Sequence, residues 1–466
     1  MTLLLVAALA PTFYKDVLPI LQQHCQSCHR HGEMAPMPFE TYAQTRPFAA
    51  SMANAVRNRT MPPWFADPCC GHFSDDPSLT PVEIATLTTW AAANAACLDR
   101  AQRPPNGLCP PAGEPSDAPP PPHWTEGWNI EKPDVVLEMP TPKHLPAQGD
   151  IPYQYIVIPT QFQEDRWVRM SEIRPGNRMV VHHAVAYIRD PKSSWLRGAP
   201  VGVPFSADDL PTEALRRDAM WTTNDILLVY APGSLPDQWP EGFAKLVPAG
   251  SDIVLQMHYT TMNHSGHGHE MEDRTSIGLV FSKGPPRKRV LTLQLTNDRF
   301  LIPPGDPDHR VEVHGSLPND ALLLSLFPHM HLRGKTFEYK ILEPGGRIRT
   351  LLRIPHYDFY WQLSYRLADP IPLKAGTVLQ AVATFDNSKN NPHNPDPDSA
   401  VRWGEQTWAE MMVGFFDVAV DPSIDKQQFF IRQRTAQQLA IPRGPAQQFV
   451  IPGSTRRAQT TAGSRP

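Results

Sequence analysis

Residues 180–188 read VVHHAVAYI. The β-branched residues in this run mark it as a strand. Successive side chains of a strand point to opposite faces, so two adjacent imidazoles, His182 and His183, pose a problem. Either one is a buried, hydrogen-bonded histidine and the other faces away, or the backbone bends and both grip a metal. Outward from this stretch, short apolar runs separated by Pro, Gly, Asn and Asp recur over roughly 300 residues, the pattern of β-sandwich modules. The chain also holds 53 prolines, which argues against a mainly helical protein. Its 466 residues exceed one ordinary core. On length, about three domains are expected.

The 43 basic and 47 acidic residues leave a net charge of −4, with no basic stripe. Nucleic acid is therefore not an expected partner. All six cysteines, Cys25, Cys28, Cys69, Cys70, Cys97 and Cys109, lie in the first quarter. Any metal site beyond them must use His, Met or carboxylate. This excludes a thiolate-ligated blue-copper centre there, and a multicopper oxidase of the usual kind. Residues 1–10, MTLLLVAALA, have the apolar run and small-residue end of a secretory signal but no basic start. That run is too short to span a bilayer. No later segment is long and apolar enough for a transmembrane helix.

CQSCH, Cys25–His29, is a C-x-x-C-H motif, the attachment pattern for a c-type haem. The two thiols would form thioethers, and His29 would be the proximal iron ligand. Half of a zinc site is the alternative, but Cys69 and Cys70 have the wrong spacing to complete one. Phe13, Val17 and Leu21 give one apolar face to a helix entering the motif. In LTPVEIATLTTWAAANAA, Thr80 is the N-cap, Pro81 the first helical residue and Glu83 the partner in a capping box. Leu79 and Ile84 can form the hydrophobic staple. Two helices around C-x-x-C-H resemble a small class-I cytochrome c covering residues 11–100. Met34, Met37, Met52 and Met61 are candidates for the sixth iron ligand. Met61 is favoured, because Pro62 and Pro63 fix an extended loop there, whereas Met34 and Met37 follow His29 too closely.

Haem attachment takes place outside the cytoplasm, so a periplasmic or secreted location is expected. There, Cys69, Cys70, Cys97 and Cys109 are expected to form two disulfides, with the neighbours Cys69 and Cys70 not paired to each other. Residues 101–124 are proline-dense and read as an extended spacer. Residues 425–466 are poor in packing residues and read as a disordered tail.

Three more patterns stand out in the β region. LQMHYTT places His258 in an apolar strand. PHMHLRGK places His329 and His331 at i and i+2, on one strand face, where they can share an ion. GEQTWAEMMVGFFDV places Met411 and Met412 before another apolar run. Imidazole suits copper and zinc alike, but a thioether is a good Cu(I) ligand and a poor zinc ligand. The triplet in NHSGHGHE, His264, His267 and His269, reads as a polar loop with at most adventitious metal binding.

These motifs resemble the type II copper monooxygenases, the family of peptidylglycine α-hydroxylating and dopamine β-monooxygenases. The resemblance runs over about residues 125–425. It rests on the pair His182 and His183, on Gln256, His258 and Tyr259 as a Q-x-H-Y pattern, and on His329, His331 and Met411. Met411 is preferred over Met412 because it follows Glu410, as in the family's E-M motif. With the N-terminal module, the chain looks like a bacterial branch carrying a fused cytochrome c. EIRPGNRMVVHHAV and FDNSKNNPHNPDP add to that likeness.

The resemblance implies a small all-α cytochrome c domain followed by two all-β, jelly-roll-like copper domains, at residues 125–285 and 286–424. It implies two coppers per chain, facing each other across solvent, and one covalent haem. The copper of His182, His183 and His258 would store an electron. The copper of His329, His331 and Met411 would activate O₂ and take hydrogen from a substrate C–H, yielding an alcohol and water. The family's electron donor is ascorbate; here the haem could replace it or relay electrons from a periplasmic redox protein. Peptide-binding members carry Arg, Asn and Tyr where this chain has Phe327, Val413 and Phe415. A peptide carboxylate is thus left without its clamp, and a less polar small molecule is the expected substrate. A non-catalytic haem and copper electron-transfer or copper-binding protein is the alternative.

Overall fold

The computed structural model describes residues 11–33, 35, 37–98, 112–122, 127–149, 151–220, 225–260, 270–343, 345–404, 406–424 and 431–433. The signal-like segment, Met34, Cys109, the His264–His269 loop and most of the tail lie outside them. Helices are concentrated at the N-terminal end, where the apolar spacing is helical. They are α1 (Leu18–His24), α2 (Ala49–Arg57) and α3 (Pro81–Leu98). Phe13, Val17 and Leu21 line one face as expected and pack with Val56, Leu87 and Trp90 in a single buried core. The capping box forms: Thr80 N–H donates to Glu83 Oε2 at 2.7 Å, and Glu83 N–H donates to Thr80 Oγ1 at 3.2 Å.

The rest is mostly β. The strands that position the site are β1 (Gln154–Pro159), β2 (Arg166–Arg174), β3 (Val181–Arg189), β4 (Asp225–Tyr230), β5 (Phe243–Val247), β6 (Asp252–Tyr259), β7 (Lys288–Thr296), β8 (Ala321–His329) and β9 (Val413–Val420). In the first half, a five-stranded sheet containing β1, β6, β3 and β4 faces β2 and its neighbours. Their inward residues, among them Ile156, Ile173, Leu255 and Leu279, form one core. In the second half, β7, β9 and β8 face another five-stranded sheet over a core that includes Leu293, Leu326, Phe337 and Phe416. Each half is a β-sandwich.

Four expectations about boundaries need correction. The halves are not separate at residue 285. Strand β7 pairs parallel with β5, with Lys288 opposite Phe243 and Arg289 opposite Ala244, so one nine-stranded sheet runs through both sandwiches. Second, the helical unit does not contain all of residues 11–100. Phe73 is buried in the second sandwich's core, with Trp64, Phe65 and Ala66 packed against it. Ser74 N–H donates to the Arg366 carbonyl at 2.9 Å, and Asp67 N–H to that of Arg353 at 2.8 Å. Aromatic side chains in this segment bury more surface there than a small helical unit offers.

The proline-rich linker is likewise not simply a spacer. Tyr14 N–H donates to the Ala112 carbonyl at 3.0 Å, and Ala118 packs on the helical core. Prolines lack donors, yet the segment's carbonyls still accept. Finally, the tail is not structureless throughout, since Ile431–Gln433 pairs with His314–Ser316 as an edge strand.

The cysteine expectation is corrected too. Cys69 and Cys70 form a disulfide with each other. A turn anchored on Asp67 brings the two residues together: Cys69 N–H donates to Asp67 Oδ1 at 2.9 Å, and Cys70 N–H to the Asp67 carbonyl at 3.1 Å. The side chain of Cys97 lies outside the described residues. Among the described residues, no helix is long and apolar enough to cross a membrane.

Candidate metal centre

The doubled histidine is resolved by a β-bulge. Across the β3–β6 ladder, His183 lies opposite His258, but the next pair is Val181 with Tyr259, which skips His182. A bulge turns the extra side chain out of strict alternation. As a result His182, His183 and His258 converge, with ligand nitrogens all within 4.8 Å of one another. His182 Nδ1 and His183 Nδ1 are 3.2 Å apart. Tyr153 stacks on His258 with ring centroids 4.8 Å apart, and its hydroxyl lies 3.0 Å from His183 Nε2.

His329 ends β8, and His331 follows it after the buried Met330. Their ring centroids are 5.3 Å apart. His329 Nδ1 lies 2.7 Å from the carbonyl oxygen of the Gln362 side chain. That acceptor places the ring proton on Nδ1 and leaves the Nε2 lone pair for a metal. The expected gap of solvent between the two histidine sets is absent. His183 and His329 rings are 5.6 Å apart, and Phe359 from the second half stacks on His182 at 4.6 Å. The continuous sheet holds the halves too close for a solvent layer, so five imidazoles form one cluster.

The donor set fits a metal. His182 Nε2, His258 Nδ1 and both nitrogens of His331 are buried with no hydrogen-bond partner of normal geometry. An unpaired buried polar atom costs roughly 1–3 kcal/mol, so a cluster of them implies a ligand. Burial holds the His182 and His329 rings down at about 4, and lowers His183, His258 and His331 well below their ordinary value. Neutral imidazole is the form that binds metal.

Glu410 braces the second set. Its buried carboxylate accepts the backbone N–H of His331 at 2.9 Å and that of Arg333 at 2.6 Å. Burial pushes this carboxyl up to about 8, against those hydrogen bonds and the Arg333 charge. The contacts fix the Glu410–Met411 segment beside the H-x-H turn. Met411 is half-buried, whereas Met412 is wholly buried in the sandwich core, so Met411 is the less enclosed of the two thioethers. Arg333, itself buried, donates to Asn387 Oδ1 and the Trp408 carbonyl, both at 2.8 Å. The Asn-rich stretch beginning at Phe385 is thus a brace behind the site. Glu410→Ala is expected to cost roughly 1–3 kcal/mol for each amide left without an acceptor. It should also weaken metal binding about 10–100-fold, as loss of an outer partner does. Urea unfolding and a copper titration measure the two effects.

Phe327 and Phe415 face each other across β8 and β9, and Phe415 also contacts His329, with centroids 6.4 Å apart. Both line a small recess, along with Leu228, Lys245, Asp237 and Asp417. Lys245 bridges the halves, 2.8 Å from Asp237 and 3.7 Å from Asp417. Val413 pairs with His329 on the same strands.

In the helical unit, Cys25, Cys28 and His29 share one turn. His29 Nδ1 contacts the Met37 carbonyl at 3.0 Å and the ring stacks on Phe39 at 4.4 Å, leaving Nε2 available. Burial pushes the Cys25 thiol up to about 12 and raises Cys28 as well. Two thiols in an apolar turn beside a fixed imidazole fit thioether attachment and iron ligation. Met52 is buried in the helical core, while Met61 is half-buried beyond the end of α2.

Tyr153, Phe359, Gln362, Glu410 and Arg333 were not legible as site residues in the sequence. The Glu410 position adjoins a ligand candidate and Arg333 lies within PHMHLRGK, but Tyr153, Phe359 and Gln362 come from distant segments with no spacing signal. No family model and no curated protein matches the chain. Solved structures that match include that of the infectious bursal disease virus Gx strain, at 10% identity, covering 64% of this chain and 74% of that chain with a TM-score of 0.19. The VP2 subviral particle of infectious bursal disease virus matches at 10% identity, covering 63% and 72%, with a TM-score of 0.17. Similarity this remote carries no weight for fold or site.

Proposed function

We propose that this chain is a copper-dependent monooxygenase that hydroxylates a C–H bond of a small, weakly polar organic molecule with O₂. The observation that carries the reading is the five-imidazole cluster with its unpartnered buried nitrogens. His182, His183 and His258 would hold one copper; His329, His331 and Met411 would hold the other. Copper would supply one-electron chemistry and O₂ activation, and a mixed imidazole and thioether set favours the Cu(I) state that such activation needs. Gln362 orients His329, and Glu410 holds the H-x-H turn against the Met411 segment. Phe415 packs on His329 and, with Phe327 opposite it, makes an apolar wall beside the second set. Cys25, Cys28 and His29, with Met61 as sixth ligand, would hold one haem c in a cytochrome c-like unit. That unit requires a periplasmic or secreted location, with electrons from an ascorbate-like reductant or a redox protein.

Metal analysis with EPR on haem-matured protein tests this reading. Two coppers per chain are expected. With the two sets in ring contact, their cupric signals should be broadened by mutual coupling. His329→Ala should remove one copper and sharpen the signal of the other. Zero stoichiometric copper would overturn the reading. Two coppers without oxygenation of any substrate would instead identify a haem and copper electron-transfer protein.

A further inference from the structure

Glu33 lies four residues beyond His29 in the helical unit, yet its side chain is only 4% exposed and is gripped by the β-region. The carboxylate meets Arg30 Nη2 at 2.8 Å, Arg174 Nη2 at 3.3 Å and Arg178 Nη2 at 3.0 Å. Arg30 also donates to Asn129 Oδ1 at 3.0 Å. Asn129 in turn donates from its backbone and side chain to Glu172 of β2, at 2.7 and 2.8 Å. Arg174 lies over the Trp128 ring at 5.3 Å. A tie between loosely joined domains is ordinarily wet and peripheral. This one is buried and polar, and such networks fix geometry closely because each missing partner is costly.

The clasp sits between the two proposed redox centres. On one side, the Cys28 thiol is close enough to Glu33, Arg30 and Arg178 to feel their charges. On the other, Arg178 leads directly into β3, four residues before His182, so at most roughly 13 Å of chain separates them. Tyr230 supplies a second route. Its hydroxyl lies beside Arg178 and within reach of the Cys28 charge, and it ends β4 opposite Ala184, the neighbour of His183. Two connected elements thus start at the C-x-x-C-H turn and end at the doubled histidine.

Building on the copper reading above, we infer that the Glu33–Arg178 clasp and Tyr230 form an internal electron-delivery face. They seat the haem-bearing turn on β3 so that His182 and His183 receive the electron. In the transfer, ferrous haem becomes ferric and one cupric ion becomes cuprous, with no bond made or broken and no proton carried. An external one-electron carrier restores the ferrous haem.

The test uses the full chain loaded with haem and copper. The haem is reduced by a flash, and its reoxidation is followed by absorbance while the cupric EPR signal is followed in parallel. Glu33→Gln and Tyr230→Phe are compared with wild type, with each haem potential measured. Both variants should slow reoxidation roughly tenfold or more, the scale on which small misplacements act. Copper content and cupric spectrum should stay unchanged. Rates matching wild type in both variants overturn the proposal. A second readout needs no metal: in copper-free protein, Glu33→Gln should speed hydrogen exchange of the amides at 178–184. Unchanged exchange there overturns the clasp. Copper that binds but stays cupric beside reduced wild-type haem overturns the route and leaves the oxygenase reading standing. Absent copper overturns the oxygenase reading, and this is seen before any transfer is measured.

Discussion

His183→Ala protein will bind copper at least about 100-fold more weakly than wild type, beyond the roughly 10–100-fold that losing an outer partner costs. His183 is the ring with the most imidazole neighbours in the cluster. It contacts His182, His258 and His329, at centroid distances of 5.4, 4.9 and 5.6 Å. Its removal takes a donor from one set and a wall from the other, so both coppers should be affected. Tyr153→Phe is the matched control. It removes the hydroxyl 3.0 Å from His183 Nε2 but keeps the ring stacked on His258. That variant should keep both coppers, with an affinity loss within the outer-partner range. Competition against a Cu(I) chelator, with metal analysis, reads both. Wild-type copper affinity in the His183→Ala protein would mean that the cluster is not the binding site.

The metal-free protein should lose stability steeply as pH falls from 6.5 towards 4. In the unfolded chain a histidine takes up its proton near pH 6.5; in the folded chain burial holds His329 off until about 4. Between those values the unfolded state binds more protons, so each step down in pH favours unfolding. The His329 contribution levels off near 4, while His183, His258 and His331, held well below their ordinary value, extend the loss to more acid pH. For His329 alone this amounts to roughly 3 kcal/mol. His182 titrates in the same window but is partly exposed, so it contributes less. Copper on the neutral nitrogens should raise the melting temperature at pH 7, and that gain should shrink as protons displace the metal. Thermal melts from pH 7 to 4, with and without copper, measure this. A flat metal-free profile would show that the rings are hydrated and that the cluster is open.

Much of this was legible in the sequence because it is written in local spacing. The capping box at Thr80 and Glu83, the helical face through Phe13, Val17 and Leu21, and the short β runs all depend on near neighbours. The doubled histidine poses in the sequence the choice between a bend and two opposed side chains, and the register shift at His182 decides for the bend. What escaped was set by long-range pairing. Nothing around Phe73 signals that it inserts into a core some 290 residues away in sequence, opposite Leu367. The joining of β5 to β7 hides equally well, because a parallel pair leaves no hairpin turn. The contact between the two histidine sets follows from that joining. The Cys69–Cys70 bond is hidden from pair geometry alone, because it depends on the turn that Asp67 anchors.

The β5–β7 pairing has a mechanical consequence. Two domains tied by a linker can swing about a hinge during a catalytic cycle. Here the tie is a ladder of backbone hydrogen bonds, with strands at a spacing of about 4.8 Å. Parting the two histidine sets would require tearing that pairing. The seam should therefore act as a fixed ruler: distances measured between spin labels on the two sandwiches should stay constant through reduction, oxygen exposure and substrate addition. On the proposed oxygenase reading, admission of substrate would then fall to the loop bearing Phe359 and Gln362, which contact His182 and His329 without belonging to any strand.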